Sequence, residues 1–351
     1  MKYTELYNDL RKKIEDGVYS YGDKLPSKRI TADKYGVSVI TVVHALELLA
    51  DEGYVASRER SGYFVIYKAG KTGKIPAFTA PERSRSDFVK VEGFPFASFA
   101  RTMRRVIAEY GERILSRTAG FGSVELRTEI SRYLARAKGM KVPYECIVIG
   151  AGAEYLYTLA VLFFGNDSVF AIEEPSYGQI EKVYRLHGVR CDTLRLENDG
   201  ISSEALAKTT ASILHVSPYR SYPSGVMTSA AKRSEYIEWV KGGDRYIIED
   251  DFESEFSKRP AQSLYSLAGG EGVIYINTFT KTVSPAMRMA YMVLPEGILE
   301  RFKEKLGFYS STVPAFEQFV MAEFIKSGDF ERHINKIRRK SKKTIDKPKK
   351  A

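Results

Sequence analysis

The sequence predicts an α/β domain built on a largely parallel sheet, preceded by a small helical domain that ends in a β-rich stretch. Three observations carry this. Five short runs, 146–149, 169–172, 212–216, 246–248 and 273–279, are rich in Val, Ile, Tyr or Phe and bounded by Gly, Asp or Pro. Their apolarity is continuous rather than alternating, which predicts strands covered on both faces. Helical patterns such as 153–164 and 229–240 lie between them, the alternation expected of an α/β sheet.

Composition narrows the class. With 351 residues there is room for roughly two domains, and 44% hydrophobic with 28% charged residues is ordinary for a globular protein. The longest apolar run, 155–164, falls short of the roughly 20 residues a bilayer requires. The polar opening Met1-Lys2-Tyr3-Thr4-Glu5 does not read as a signal peptide. Cys146 and Cys191 make neither a disulfide framework nor a metal motif, and the four histidines are scattered. A reducing, cytoplasmic setting without zinc is expected. The net charge of +10 is local: residues 332–351 hold ten Lys/Arg against one Asp, whereas residues 1–70 hold eleven basic against ten acidic residues. Net charge therefore says little about nucleic acid, and the basic end is expected to be a solvated tail.

The first 67 residues predict helices over about 3–16, 27–35 and 39–52. Leu25-Pro26-Ser27 gives the second a rigid lead-in and a side-chain cap. Gly36-Val37-Ser38 makes a tight turn, and Ser38 caps the third helix, whose Ile40, Val43, Leu46 and Leu49 are expected to pack inward. Residues 57–65 fit a two-stranded wing. These features alone allow either a plain helical bundle or a helix-turn-helix. The strings Leu-Pro-Ser-Lys-Arg at 25–29, Gly-Val-Ser at 36–38, Thr41-Val42, Glu52-Gly53-Tyr54 and Ser61-Gly62-Tyr63-Phe64-Val65 resemble the winged helix-turn-helix of GntR-family regulators. The resemblance implies that Ser27, Lys28 and Arg29 touch DNA phosphates. It implies also that the segment 38–44, with Ser38, Thr41 and His44, enters the major groove, and that Arg58 and Gly62 form the wing. One position departs: the basic residue usual after the turn serine is Val39. Residues 68–92, with little apolar periodicity, read as a linker.

In the larger zone, Lys281 follows one predicted strand, and Asp250 and Asp251 end another. Ligands of open α/β sheets bind at the carboxyl ends of strands, so both positions face one crevice. An amine and a carboxylate there suit pyridoxal 5′-phosphate (PLP): the lysine condenses with its aldehyde and the carboxylate keeps its ring nitrogen protonated. Arg288 could clamp the phosphate, as could the first amides of the helix after Gly150-Ala151-Gly152-Ala153.

The strings Gly150-Ala151-Gly152-Ala153-Glu154-Tyr155, Glu174-Pro175-Ser176-Tyr177, Tyr222-Pro223-Ser224-Gly225, Glu249-Asp250-Asp251-Phe252-Glu253-Ser254-Glu255-Phe256 and Thr278-Phe279-Thr280-Lys281 resemble the fold-type-I aminotransferase domain. Behind a GntR-type winged helix, this is similar to the MocR subfamily, in which that domain serves mainly as a sensor of PLP, often with an amino compound. The resemblance implies that Lys281 is the Schiff-base lysine and Asp250 the partner of the ring nitrogen. Tyr177 would lie against the ring, Gly152 and Ala153 would offer amides, and Thr278, Thr280 and Arg288 would hold phosphate. Phe252 stands where the family has a Tyr, and Tyr219-Arg220-Ser221 replaces its Ser-His-Gln, with Arg220 a substitute donor to the phenolic oxygen. Ala151 and Ala153 replace hydroxyl residues. Each lost hydrogen bond is worth on the order of 1 kcal/mol, so weaker cofactor binding is expected.

The likeness runs to Glu331-Arg332-His333-Ile334-Asn335. Residues 336–351 read as a basic tail where the family continues into a C-terminal small domain, making the chain a truncated member with an active-site crevice open on one wall. The organisation expected is a winged helix over 1–67, a linker over 68–92, a PLP-binding large domain over 93–335 and the tail. The function expected is a DNA-binding regulator, a homodimer by analogy, that binds operator DNA and senses PLP or an amino compound. The alternatives are an aminotransferase with a DNA-binding appendage and a decayed regulator that binds DNA without cofactor.

Overall fold

The computed structural model describes residues 3–59, 61–68, 93–256 and 262–345. The segment 69–92, within the expected linker, and residues 346–351 of the expected tail lie outside the described residues. The chain divides into two compact units, Met1–Phe88 and Val89–Ala351.

The first unit holds helices α1 (Tyr3–Glu15), α2 (Lys28–Tyr35) and α3 (Val39–Asp51), then strands β1 (Val55–Arg58) and β2 (Gly62–Val65). Ser27 and Ser38 cap α2 and α3, their hydroxyls accepting the amides of Ile30 at 3.3 Å and Thr41 at 3.1 Å. Between these helices Gly36 takes a left-handed φ of +63°, which closes the tight turn without a side-chain penalty. Leu6, Leu10 and Ile14 of α1 pack with Val42, Leu46 and Leu49 of α3, and Val55 and Val65 close the core beneath the wing. The strands pair antiparallel with Arg58 opposite Gly62. The expected inward stripe of α3 is corrected: Val42, Ala45, Leu46 and Leu49 are buried, Val43 is half-buried and Ile40 is exposed. Val42, Ala45, Leu46 and Leu49 share the face of α3 that joins α1 in the core. A stripe begun one residue off that face turns Ile40 outward.

The second unit begins with α4 (Phe96–Tyr110) and α5 (Val124–Lys138), followed by β3 (Ile147–Gly150), α6 (Ala153–Phe164), β4 (Val169–Glu174), α7 (Gly178–Leu186), β5 (Arg190–Glu197) and β6 (Gly200–Ile201). It continues with α8 (Ser203–Lys208), β7 (Ile213–Val216), α9 (Ala230–Lys241), β8 (Tyr246–Asp250), α10 (Leu264–Leu267), β9 (Val273–Thr278), α11 (Phe279–Thr282) and β10 (Ala290–Val293). Helices α12 (Leu299–Leu306), α13 (Ala315–Lys326) and α14 (Asp329–Ile345) follow.

The eight strands form one sheet in the order β3-β10-β9-β8-β7-β4-β5-β6. Strands β5, β4, β7, β8 and β9 run parallel, β10 lies antiparallel between β9 and β3, and β6 pairs antiparallel with the end of β5. Successive strand residues enter opposite cores: Val273 and Tyr275 join one apolar cluster, Ile274 and Ile276 the other. That two-sided burial is why the strand sequences are continuously apolar.

The structure differs in part from the expected solvated tail: Lys336 and Arg339 are exposed, whereas Ile337 and Arg338 are half-buried. Phe330, His333 and Ile334 are buried, and α14 continues through 336 as far as Ile345. Counting lysines obscured the helical spacing of Phe330, Ile334 and Ile337.

Candidate functional site

Five parallel strands and one antiparallel strand deliver their loops to the same sheet edge. There, Ala153, Glu154, Tyr157, Tyr177, Ser217, Arg220, Tyr222, Asp250, Phe252, Glu253, Thr278, Thr280, Lys281 and Arg288 line one cavity of about 400 Å³. Asp250 ends β8, Thr278 ends β9, Ser217 follows β7, and Arg288 precedes the oppositely directed β10. Eight of the nine residues expected at a cofactor site therefore meet: Lys281, Asp250, Tyr177, Ala153, Arg220, Thr278, Thr280 and Arg288. The ninth, Gly152, sits beside them at φ +96°, where an added Cβ would come within 3.0 Å of Arg288 Nη2. Only a residue without a side chain keeps the arginine and the backbone this close.

Asp250 is buried at the floor. Its Oδ2 accepts the Tyr157 hydroxyl and lies 3.7 Å from His215 Nε2, while Tyr184 bonds His215 Nδ1 at 2.6 Å. Sequence reasoning missed Tyr157 because it sits inside an apolar helical run, where a Tyr reads as core. Asp251, its neighbour, points the other way. It meets Lys138 Nζ at 2.6 Å and accepts the Tyr275 hydroxyl at 2.7 Å. Adjacent positions on an extended chain face opposite sides, so only Asp250 reaches the cavity. Lys138 also approaches Glu255 to 3.3 Å, and Asn277 donates to the same carboxylate. This buried cluster anchors the turn that carries Phe252 and Glu253.

The cations of the cavity have internal partners. Arg220 Nη1 lies 3.0 Å from Glu253 Oε2, Lys281 Nζ lies 3.8 Å from Glu253 Oε1, and Arg288 Nη2 lies 3.0 Å from Glu154 Oε2. Neither glutamate was singled out from the sequence as a site residue, since acidic residues near a helix start or in a turn are commonly solvated. Thr278 and Thr280 line the wall, but their hydroxyls donate to the carbonyls of Met289 and Met287. Each would have to turn to donate to a phosphate. The amide of Ala151 donates to the Thr312 hydroxyl at 3.0 Å, so the backbone donors left for an anion are the first amides of α6, which lack helical partners.

Behind the floor, Glu173 accepts the Ser221 hydroxyl at 2.6 Å and the Ser217 amide at 3.3 Å, and burial pushes its carboxyl up to about 7. These bonds hold the loop bearing Arg220.

Of the residues expected to meet DNA, Ser27, Lys28, Arg29, Ser38, His44, Arg58 and Gly62 are exposed, and Thr41 is half-buried. Lys28 Nζ lies over the Tyr63 ring at 5.5 Å and the Arg58 guanidinium over Phe64 at 4.4 Å, so aromatic wing residues support both cations. No group of metal ligands occurs among the described residues, and no helix among them is long and apolar enough to cross a membrane.

A cavity with an amine, a floor carboxylate and an anion cradle, borne by a unit separate from a capped winged helix, matches known proteins in both parts. Residues 2–65 match the bacterial regulatory proteins of the gntR family, and residues 94–349 match aminotransferase class I and II. The second match runs past Asn335, beyond the strings that carry the sequence resemblance. The chain is 30% identical to an uncharacterized HTH-type transcriptional regulator, YdeL, of Bacillus subtilis, covering 96% of this chain and 76% of that one. It is 27% identical to the probable rhizopine catabolism regulatory protein MocR of Rhizobium meliloti, covering 96% and 74%. Among solved structures it shares the fold of a kynurenine aminotransferase from Pyrococcus horikoshii, with a TM-score of 0.64 at 22% identity over 70% of this chain. It spans 64% of that enzyme's length, and about three quarters of the length of the two regulators. The chain belongs to the GntR-family transcription regulators of the MocR type, DNA-binding proteins that carry an aminotransferase class I/II domain.

Proposed function

We propose that this DNA-binding regulator holds PLP in the cavity at the sheet edge and uses it to sense PLP itself or an amino compound. The observation that carries the reading is the convergence of Lys281, Asp250, Arg288 and the first turn of α6 from four separate segments on one cavity. The donor set fits the group. Arg288 and the α6 amides would hold its phosphate beside Gly152. The Asp250 carboxylate would hold a proton on the ring nitrogen, and the Tyr157 hydroxyl would keep that carboxylate in place. Lys281 would supply the amine that anchors the carbonyl, and Tyr177 would cover the ring. When bound, the cofactor supplies an electrophilic carbonyl on an electron-withdrawing ring, which suits the capture of amines. Phe252 lacks the hydroxyl that the family directs at the phenolic oxygen, so retention and sensing are favoured over turnover.

Ligand in the cavity alters operator affinity by a coupling free energy, and operator alters ligand affinity by the same factor. A homodimer reading two half-sites follows from the family architecture. The test is operator affinity measured with and without PLP, and with added amines, for the native chain and for Lys281→Ala. A PLP-dependent change in the native chain that vanishes in the variant is expected. An identical response in both would overturn the reading.

A further inference from the structure

We infer that α3 reads its operator through thymine methyl groups, with Val39 and Ile40 as the contacting side chains. The inference rests on the proposed placement of α3 in the major groove and adds the base class that it selects.

The helix sequence, Val-Ile-Thr-Val-Val-His-Ala-Leu-Glu-Leu-Leu-Ala-Asp over Val39–Asp51, contains no Arg, Lys, Asn or Gln. In the major groove, Arg and Lys are the usual readers of guanine, and Asn and Gln of adenine. None of these readings is available to α3. What its first turn presents instead is apolar and branched. Ile40 is 69% exposed and Val39 is 43% exposed, and of the apolar residues this unit exposes, which include Val18, Ile30 and Ile66, these two are the ones on α3. Val43, one turn on from both, is half-buried, and His44 is exposed. One exposed isoleucine needs no explanation, since folded surfaces are largely apolar. Two adjacent ones at the N-terminal turn of a groove-entering helix have a defined partner, because contact with the C5 methyl is how an apolar side chain recognises thymine.

The polar groups at this end are engaged. The Ser38 hydroxyl accepts the Thr41 amide and lies 2.8 Å from the Thr41 hydroxyl. The cations stand elsewhere: Lys28 and Arg29 begin α2, while Arg58 lies on the wing strand beside Gly62. The surface thus separates its tasks. Positive charge from α2 and the wing meets phosphate, which positions the domain without regard to sequence, and α3 supplies the discrimination.

The experiment selects binding sites for the full chain from random double-stranded DNA, then replaces each thymine of the enriched half-site by uracil, which removes the methyl alone. Binding is expected to weaken about fourfold at one or two central thymines, the worth of one buried methyl group. Ile40→Ala should lose the thymine-over-uracil preference at one of those positions and keep it at the one Val39 contacts, with an unchanged salt dependence and an unchanged melting temperature. Val39→Arg should shift the adjoining selected base towards guanine. Enriched sites whose affinity is indifferent to uracil at every position would overturn the inference and leave DNA reading by another element. Salt-dependent binding with no enriched sequence would overturn the groove placement of α3 as well.

Discussion

Glu253 Oε2 lies 3.0 Å from Arg220 Nη1, and the other oxygen of the same carboxylate faces Lys281 at 3.8 Å. One in-chain acid therefore confronts both cations at that end of the cavity, and Glu154 does the same for Arg288. An incoming anion has to compete with these partners. Both cations are more than half exposed, so water screens the pairs, and each is worth no more than about 1 kcal/mol. Glu253→Gln should tighten PLP binding by up to about fivefold in an absorbance titration. A marked loss of affinity would show that Glu253 supports the bound state.

Tyr157 holds the floor carboxylate. Removing its hydroxyl leaves the buried Asp250 without that donor, a loss of about 1–3 kcal/mol. Tyr157→Phe should lower the melting temperature by several degrees and weaken PLP binding about tenfold, whereas Tyr177→Phe should leave the melting temperature unchanged. Scanning calorimetry with a parallel titration separates the two effects. Unaltered stability and affinity in Tyr157→Phe would remove this residue from the site.

Burial holds the Glu173 carboxyl at about 7, above its ordinary 4.5. The folded state thus keeps a proton that the unfolded chain releases. Its contribution to stability is complete below about pH 4.5, declines as pH rises, and is gone above about pH 7. The shift corresponds to about 3 kcal/mol. Glu173→Gln, which keeps an acceptor for the Ser217 amide, should therefore gain stability over the native chain as pH rises from 5 to 8. Urea unfolding across that range measures the difference. A difference independent of pH would contradict the shift.

The Lys138 cluster makes a stability prediction with no ligand involved. Its ammonium is the buried counter-charge to Asp251 and Glu255. Lys138→Met strands two carboxylates, and breaking such a pair costs about 3–5 kcal/mol. The denaturant midpoint of the full chain should fall accordingly, as urea unfolding followed by circular dichroism measures. A loss below about 1 kcal/mol would mean that the cluster is solvated.

Much of this was legible in the sequence for definite reasons. Strands β3, β4, β7, β8 and β9 are buried on both faces, so composition exposes them. Strand β5 escaped because Arg190–Glu197 buries only Cys191 and Leu194 outright, half-buries Leu196 and otherwise alternates with polar residues. Strand β10 escaped because four residues of Ala, Tyr, Met and Val carry no β-branched run. The cofactor residues were readable because strand ends bring Asp250, Thr278 and Lys281 to one edge. Glu154, Glu253 and Tyr157 were not, since pairing between residues far apart in sequence leaves no local pattern. The phase of α3 failed by one residue because Val42 and Val43 are indistinguishable without knowing which face of α3 is buried.

Covalent labelling tests whether Lys281 anchors the cofactor. The purified chain is titrated with PLP, reduced with borohydride and digested, and the modified lysine is located by mass spectrometry. A saturable visible absorbance and a pyridoxyl label confined to Lys281 are expected, both lost in Asp250→Ala at the same cofactor concentration. A label scattered over surface lysines, with no saturable absorbance, would contradict the anchoring role of Lys281.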